Sequence, residues 1–295
     1  MTQDNHLNYA YYPGCSLHAS ASEYDRSTRE LFNALGIGLE EVPDWFCCGA
    51  TPAHNVDELL SLSLCAKNLD LAKQVNNDMA VACASCFSRM KFTQHILNEN
   101  QKKRRLVEKA IDGPAHIDGN VKHILEIMAR DLGLERLASA VKKPLSGLKV
   151  ACYYGCLLTR PPEVSKLDDC EAPSIMEDII SAAGAETVQW THRMECCGAN
   201  FTLSRPGIVV QLTNAVLNSA KRAGADCIIV ACPLCHGNLD MRQEEIEGVY
   251  NTSYALPVFY ITQLVGLAAG LPAEKLGLDS LMVDPLPMLK KKGLL

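Results

Sequence analysis

The chain has 295 residues, 48% of them hydrophobic and 21% charged, with a formal net charge of −6. That length allows two domains of roughly 150 residues, and the composition carries no sign of disorder. The acidic balance argues against a nucleic-acid binder. The polar start at residues 1–7 argues against a secretory signal. The longest apolar stretch, about 255–272, is interrupted by Thr262 and Gln263 and is too short and polar to span a bilayer. A soluble, cytoplasmic protein is expected.

Residues 8–13 predict a strand, and Cys15 falls in the loop that follows. Residues 22–35 place Leu31, Phe32 and Leu35 on one helical face. A second strand is predicted over 39–46, broken by Pro43 just before a cysteine pair. Residues 56–75 repeat Leu59, Leu60, Leu64 and Leu69 at helical spacing, 79–82 reads as a short buried strand, and 85–97 as the next helix. Residues 98–146 are charged and helix-biased. They predict a helical connector and a division into 1–100, 101–146 and 147–295, the last part ending in a helix and a tail.

The second half repeats the order. Strands are predicted over 148–154, 187–190 and 227–231, and helices over 174–183, 207–223 and 234–246. Residues 257–270 read as an apolar helix. Strands alternating with helices predict an internally duplicated α/β fold: two Rossmann-like halves with parallel sheets, related by a pseudo-two-fold axis.

Ten of the fourteen cysteines form one pattern written twice. Cys15 is followed after 31 residues by Cys47 and Cys48, and after 34 more by Cys83 and Cys86. Cys156 is followed after 39 residues by Cys196 and Cys197, and after 34 more by Cys232 and Cys235. Both adjacent pairs continue into Gly-Ala, both closing pairs read VACxxC, and both opening cysteines follow two tyrosines. Repetition of spacing and flanks points to two equivalent soft-metal sites. Clustered CC and CxxC cysteines in a large chain suit thiolates in a reducing compartment better than a disulfide framework. All ten fall at or beyond the carboxyl ends of predicted strands, where open α/β sheets gather their ligand sites.

Four thiolates suffice for structural zinc or a cubane iron–sulfur cluster. Zinc sites usually pair two CxxC knuckles and ferredoxins use CxxCxxC runs, so neither pattern matches. Successive Cβ atoms point in different directions, so Cys47 and Cys48 suit two different irons, and a fifth thiolate allows a bridging position. Zinc at one site is the alternative.

The double motif, together with ACPLCHGNLD at 231–240 and the closing PVFYITQLVGLAAGLPAEKLGLD, resembles the B subunit of heterodisulfide reductase, a paired CCG cysteine-rich domain protein. The resemblance covers nearly the whole chain. It implies two noncubane 4Fe-4S clusters, one held by Cys15, Cys47, Cys48, Cys83 and Cys86, the other by Cys156, Cys196, Cys197, Cys232 and Cys235. It also implies cleavage of the coenzyme M–coenzyme B disulfide between the clusters. Electrons would come through a ferredoxin-like C subunit and a flavin-containing A subunit. An electron-relay subunit of a related complex, or a reductase of another disulfide or thiol carrier, is the alternative.

Cys65, Cys152, Cys170 and Cys227 lie outside the motif, and Cys65 and Cys227 are expected in the core. His54 and His236 sit beside motif cysteines and are candidates for touching substrate or cluster, although packing or capping is the more ordinary role for such histidines. The pairs Tyr11–Tyr12 and Tyr153–Tyr154 are expected to pack within strands. The KKRR run at 102–105 and Lys290–Lys292 read as solvated faces. No P-loop, nucleophile elbow or dinucleotide fingerprint is present.

Overall fold

Four short parallel strands build a sheet in each half. They are β1 (Asn8–Tyr12), β2 (Gly38–Glu41), β3 (Asp78–Val81) and β4 (Asn120–His123), then β5 (Lys149–Tyr153), β6 (Glu186–Thr187), β7 (Cys227–Val230) and β8 (Val258–Tyr260). In this computed structural model, which describes residues 7–50 and 53–295, the sheet orders are β2-β1-β3-β4 and β6-β5-β7-β8. Every pairing is parallel. The duplicated α/β fold expected from the cysteine repeat is therefore present, with one order in both halves. The central strands are buried on both faces, which is why they read as short apolar runs rather than alternating patterns.

Helices cover both faces of each sheet. Helix Ser22–Ala34 buries Tyr24, Leu31 and Phe32 and carries Glu23 and Asp25 in its first turn, where acidic groups complement the helix dipole. Helix Glu58–Lys73 starts at Asp57, whose carboxylate accepts from the Leu60 N–H at 2.8 Å. Helix Pro206–Arg222 opens on a proline, which the first turn tolerates because its N–H has no helical partner.

The halves are joined by exchanged helices. Helix Ile261–Ala268, which follows β8, packs on Ser22–Ala34 of the first half. The helical stretch 124–139, which follows β4, packs on Ile175–Ala182 of the second half. Each half thus covers the other's first helix, as a two-fold relation requires. At the first of these contacts Ser27 Oγ and Thr262 Oγ1 lie 2.7 Å apart, and the rings of Tyr24 and Tyr260 stack at 3.9 Å.

Some local expectations need correction. The connector region is not wholly helical: β4 lies within it and completes the first sheet. Its sequence, Asn-Val-Lys-His, has no apolar run; Lys122 is satisfied by Asp131 and His123 by buried backbone. The apolar segment at 257–270 begins as β8 before turning helical at Ile261. The helix expected over 234–246 is two helices, Pro233–Asp240 and Gln243–Tyr250. Cys15 lies in a short helix, Gly14–His18, rather than in a loop. The polar start expected over 1–7 falls, except for Leu7, outside the described residues.

Candidate metal centre

In both halves the cysteines lie at the carboxyl ends of strands. Cys15 and Cys156 follow β1 and β5, the adjacent pairs follow β2 and β6, and Cys83 and Cys232 are the N-cap residues of the helices after β3 and β7. Gly49 and Gly198, which follow the pairs, have φ of 71° and 78°. That left-handed turn aims each glycine N–H back at the leading sulfur, at 3.4 Å for Cys47 and 3.2 Å for Cys196. The glycine of the CCG sequence is thus a backbone requirement of the site.

The sulfurs pair identically in the two halves. Cys15 and Cys47 are 3.7 Å apart and Cys48 and Cys86 3.2 Å; Cys156 and Cys196 are 3.9 Å apart and Cys197 and Cys235 3.5 Å. These spacings exceed the roughly 2 Å of a disulfide. They approach the spacing of thiolates bound at about 2.3 Å to one tetrahedral metal. Cys15, Cys47 and Cys196 are exposed and Cys156 is half-buried, whereas Cys48, Cys83, Cys86, Cys197, Cys232 and Cys235 are buried. Hydrogen bonding with Cys15 and then Cys48 holds the Cys47 thiol well below the usual range. Hydrogen bonding with Cys156, helped by the Gly198 N–H, pulls Cys196 down to about 6. Both leading cysteines are thereby biased towards thiolate, the form that binds metal.

The two sets meet. The Cys83 and Cys232 thiols interact across the boundary between halves, which pushes Cys83 up; Cys235 and then Cys83 pull Cys232 down. His123 sits at this junction. It is fully buried, with Nε2 2.9 Å from the Ala82 oxygen and a further bond to the backbone of Ala231, so it ties together the residues preceding Cys83 and Cys232. Burial holds its ring down to about 4, hence neutral near pH 7. Nothing local in the sequence marks His123, since its role depends on Ala82 and Ala231, which lie far from it along the chain.

The tyrosines do more than pack. Tyr12 donates to the Phe46 oxygen and Tyr153 to the Glu195 oxygen, both at 2.6 Å. Each phenol therefore fixes the carbonyl just before its cysteine pair. The signal was present as the repeated Tyr-Tyr before each opening cysteine. His236 is buried, with Nε2 2.9 Å from the Val258 oxygen and its ring stacked 4.2 Å from Tyr260, and it is not among the residues that share a cavity with the cysteines. His54 Nδ1 is buried without a partner among the described residues. Cys65, Cys152 and Cys227 are buried, and Cys65 donates to the Cys48 oxygen at 3.4 Å. Cys170 is half-buried on a loop.

All five cysteines of the second set line one cavity of about 80 Å³, closed partly by Ala84 and Ser85 of the first half. Among the described residues no three His, Cys, Asp or Glu side chains are arranged around a single ion. Five sulfurs around a shared space form a soft donor set that fits a polynuclear iron–sulfur group. The CCG cysteine-rich domain matches residues 9–91 and again 150–240. The chain belongs to the CCG cysteine-rich domain family. This CCG protein is similar to the 8-methylmenaquinol:fumarate reductase membrane anchor subunit of Wolinella succinogenes, 34% identical over 94% of this chain and 97% of that one. It is also similar to the B subunit of the ferredoxin/F(420)H(2)-dependent CoB-CoM heterodisulfide reductase of Methanosarcina acetivorans, 29% identical over 94% of each chain. A hypothetical protein from Helicobacter pylori shares the fold with a TM-score of 0.76 at 14% identity; the match spans 96% of this chain and 53% of that one. Among the described residues no helix is long and apolar enough to cross a membrane.

Proposed function

We propose that this chain is the two-cluster iron–sulfur subunit of an oxidoreductase complex and that it reduces a small disulfide. Cys15, Cys47, Cys48, Cys83 and Cys86 hold one noncubane 4Fe-4S cluster, and Cys156, Cys196, Cys197, Cys232 and Cys235 the other. When bound, these clusters supply one-electron reduction and iron positions that accept sulfur ligands. The contact between Cys83 and Cys232 carries the reading, because it sets two one-electron sites within reach of a single two-electron substrate. Tyr12, Tyr153 and His123 hold the backbone that presents the sulfurs, while Ala84 and Ser85 close the second cavity from the opposite half.

Likeness to the B subunit of a CoB-CoM heterodisulfide reductase supports the coenzyme M–coenzyme B disulfide as substrate; a ferredoxin-like C subunit and a flavin-containing A subunit as partners in the cytoplasm are part of the same proposal. The division into CCG units at 1–100 and 147–295, joined through 101–146, belongs to the same proposal, with β4 of the joining segment counted to the first unit's sheet.

One observation favours a second reading, electron relay between a quinol and a partner subunit. Besides its cysteines, the cavity is lined by Ala84, Leu157, Ala199 and Leu234 with Ser85, Tyr154 and Asn200, and by no lysine or arginine to meet an anionic substrate. The relative at 34% identity is named for a methylmenaquinol reaction.

Anaerobic purification with iron, sulfide and zinc analysis tests the clusters. About eight irons per chain is expected, and stoichiometric zinc with fewer than about five irons would refute it. Reduced viologen oxidised by the heterodisulfide supports the first reading; response to a menaquinol analogue alone supports the second.

A further inference from the structure

The two halves do not build the space around the sulfurs alike. The closing motif reads Cys83-Ala84-Ser85-Cys86 in the first half and Cys232-Pro233-Leu234-Cys235 in the second. In each, the two intervening residues open a helix, Ala84–Glu99 in one half and Pro233–Asp240 in the other. Ala84, Ser85 and Leu234 all line the cavity that holds the second set of sulfurs. At this position the second half brings an apolar side chain to its own cavity, and a hydroxyl comes from the opposite half.

Besides the cysteines, the polar residues of that lining are Ser85, Tyr154 and Asn200. The Tyr154 hydroxyl is committed: it donates to Glu177 and accepts from the Met176 N–H at 2.9 Å. Asn200 is exposed. Ser85 is only 5% exposed, and its hydroxyl has no hydrogen-bond partner among the described residues. The hydroxyls of Ser63 and Thr159 also lack partners but are sealed in protein, whereas that of Ser85 is not. Helix Ala84–Glu99 makes its first bond from the Phe87 N–H to the Cys83 oxygen at 2.9 Å, so the N–H groups of Ala84 and Ser85 precede the ladder. An uncommitted buried hydroxyl and the positive end of a helix therefore meet at one point of the cavity wall.

We propose, on the disulfide reading above, that Ser85 completes the second half's site by donating a hydrogen bond to the thiolate that reduction leaves in that cavity. In the overall step the S–S bond takes up two electrons, supplied by an external one-electron donor such as reduced viologen, and breaks into two thiolates. Water later protonates both, and Ser85 keeps its own proton throughout. A neutral disulfide sulfur is a weak acceptor and a thiolate a strong one. The bond therefore strengthens as charge develops, which speeds the step rather than tightening the binding of substrate. The helix N-terminus favours the same negative charge.

Steady-state reduction of the coenzyme M–coenzyme B disulfide by reduced viologen, with the anaerobically purified full-length protein, is the direct test. Ser85→Ala should lower kcat roughly tenfold to a hundredfold, as loss of a hydrogen bond to a charged group implies. KM should stay within about twofold, because the bond is absent from the ground state. Ser85→Thr, which keeps the hydroxyl, should recover most of the rate. A second readout needs no turnover: in calorimetric titration with the two product thiols, at least one should bind about tenfold more weakly to Ser85→Ala, with iron content and visible spectrum unchanged. Wild-type kcat in Ser85→Ala, an effect on KM alone, or a fall in rate matched by a fall in iron would overturn the assignment. A wild type that neither reduces the disulfide nor binds either thiol would remove the disulfide reading itself, and the role of Ser85 with it.

Discussion

In the first half the carbonyl of Cys48 accepts from Cys65 Sγ at 3.4 Å, whereas in the second that of Cys197 accepts from Asn238 Nδ2 at 3.0 Å. A second exchange lies at the ends of the edge strands. Phe87 packs edge-on against His123 at 5.6 Å, while at the equivalent positions His236 stacks on Tyr260 at 4.2 Å. Lys91 and Asp240, each five residues beyond the last cysteine of its set, carry opposite charge. What stays the same is the treatment of the backbone: tyrosine on the carbonyl before the pair, glycine N–H on the leading sulfur, helix start at the closing cysteines. Sulfur positions are set by main-chain geometry, so the supporting side chains are free to differ as long as the same groups are satisfied.

The largest effect should come from breaking the halves' joint action. Cys83→Ser and Cys232→Ser should each bring multi-turnover disulfide reduction with reduced viologen below about a tenth of wild type, since groups acting as one unit are not additive. Substantial turnover in either variant would show that one site works alone.

A smaller effect sharpens the contrast between Lys91 and Asp240. Burial pushes the Asp240 carboxyl up to about 6 even though it accepts from the Met282 and Val283 N–H groups. Between its ordinary value of 3.8 and about 6, the folded protein keeps a proton that the unfolded chain releases. The stability Asp240 contributes is therefore full below the lower value and is lost as pH rises through the upper one. Relative to Asp240→Asn, wild type should lose up to roughly 3 kcal/mol between pH 4 and 7. Anaerobic thermal midpoints of both proteins across that range check this, and parallel curves would contradict it.

The smallest effect separates the two carbonyl supports. Asn238→Ala leaves the Cys197 carbonyl unpaired in a buried place and should cost about 1–3 kcal/mol. Cys65→Ala removes a weaker S–H donor and should cost less, about 1 kcal/mol, mainly in lost packing. Denaturant midpoints order the pair, and the reverse order would mean that the Cys65 bond carries more than its chemistry suggests.

The duplicated sheets and the grouping of the cysteines were legible because buried parallel strands leave short apolar runs and the motif is spelled twice. The strand β4 was not, because Lys122 and His123 are polar residues satisfied by partners that local pattern does not reveal. Nor was β8, whose three residues run without a break into an apolar helix. The paired tyrosines stand out in the sequence but suggest packing alone; their hydroxyls act on Phe46 and Glu195, 34 and 42 residues away.

The exchanged helices and the bridge made by His123 also bear on how such a chain arises. Each half presents the same strand ends, the same cysteine loops and the same first helix to its counterpart, as two copies of one shorter protein would when forming a symmetric dimer. Joining the copies in one chain turns that encounter into an intramolecular one, with an effective concentration that dilution cannot lower. Covalent union also frees each copy from matching the other residue for residue. One half can support the carbonyl of its cysteine pair with Cys65 while the other uses Asn238, a divergence that two identical subunits cannot make.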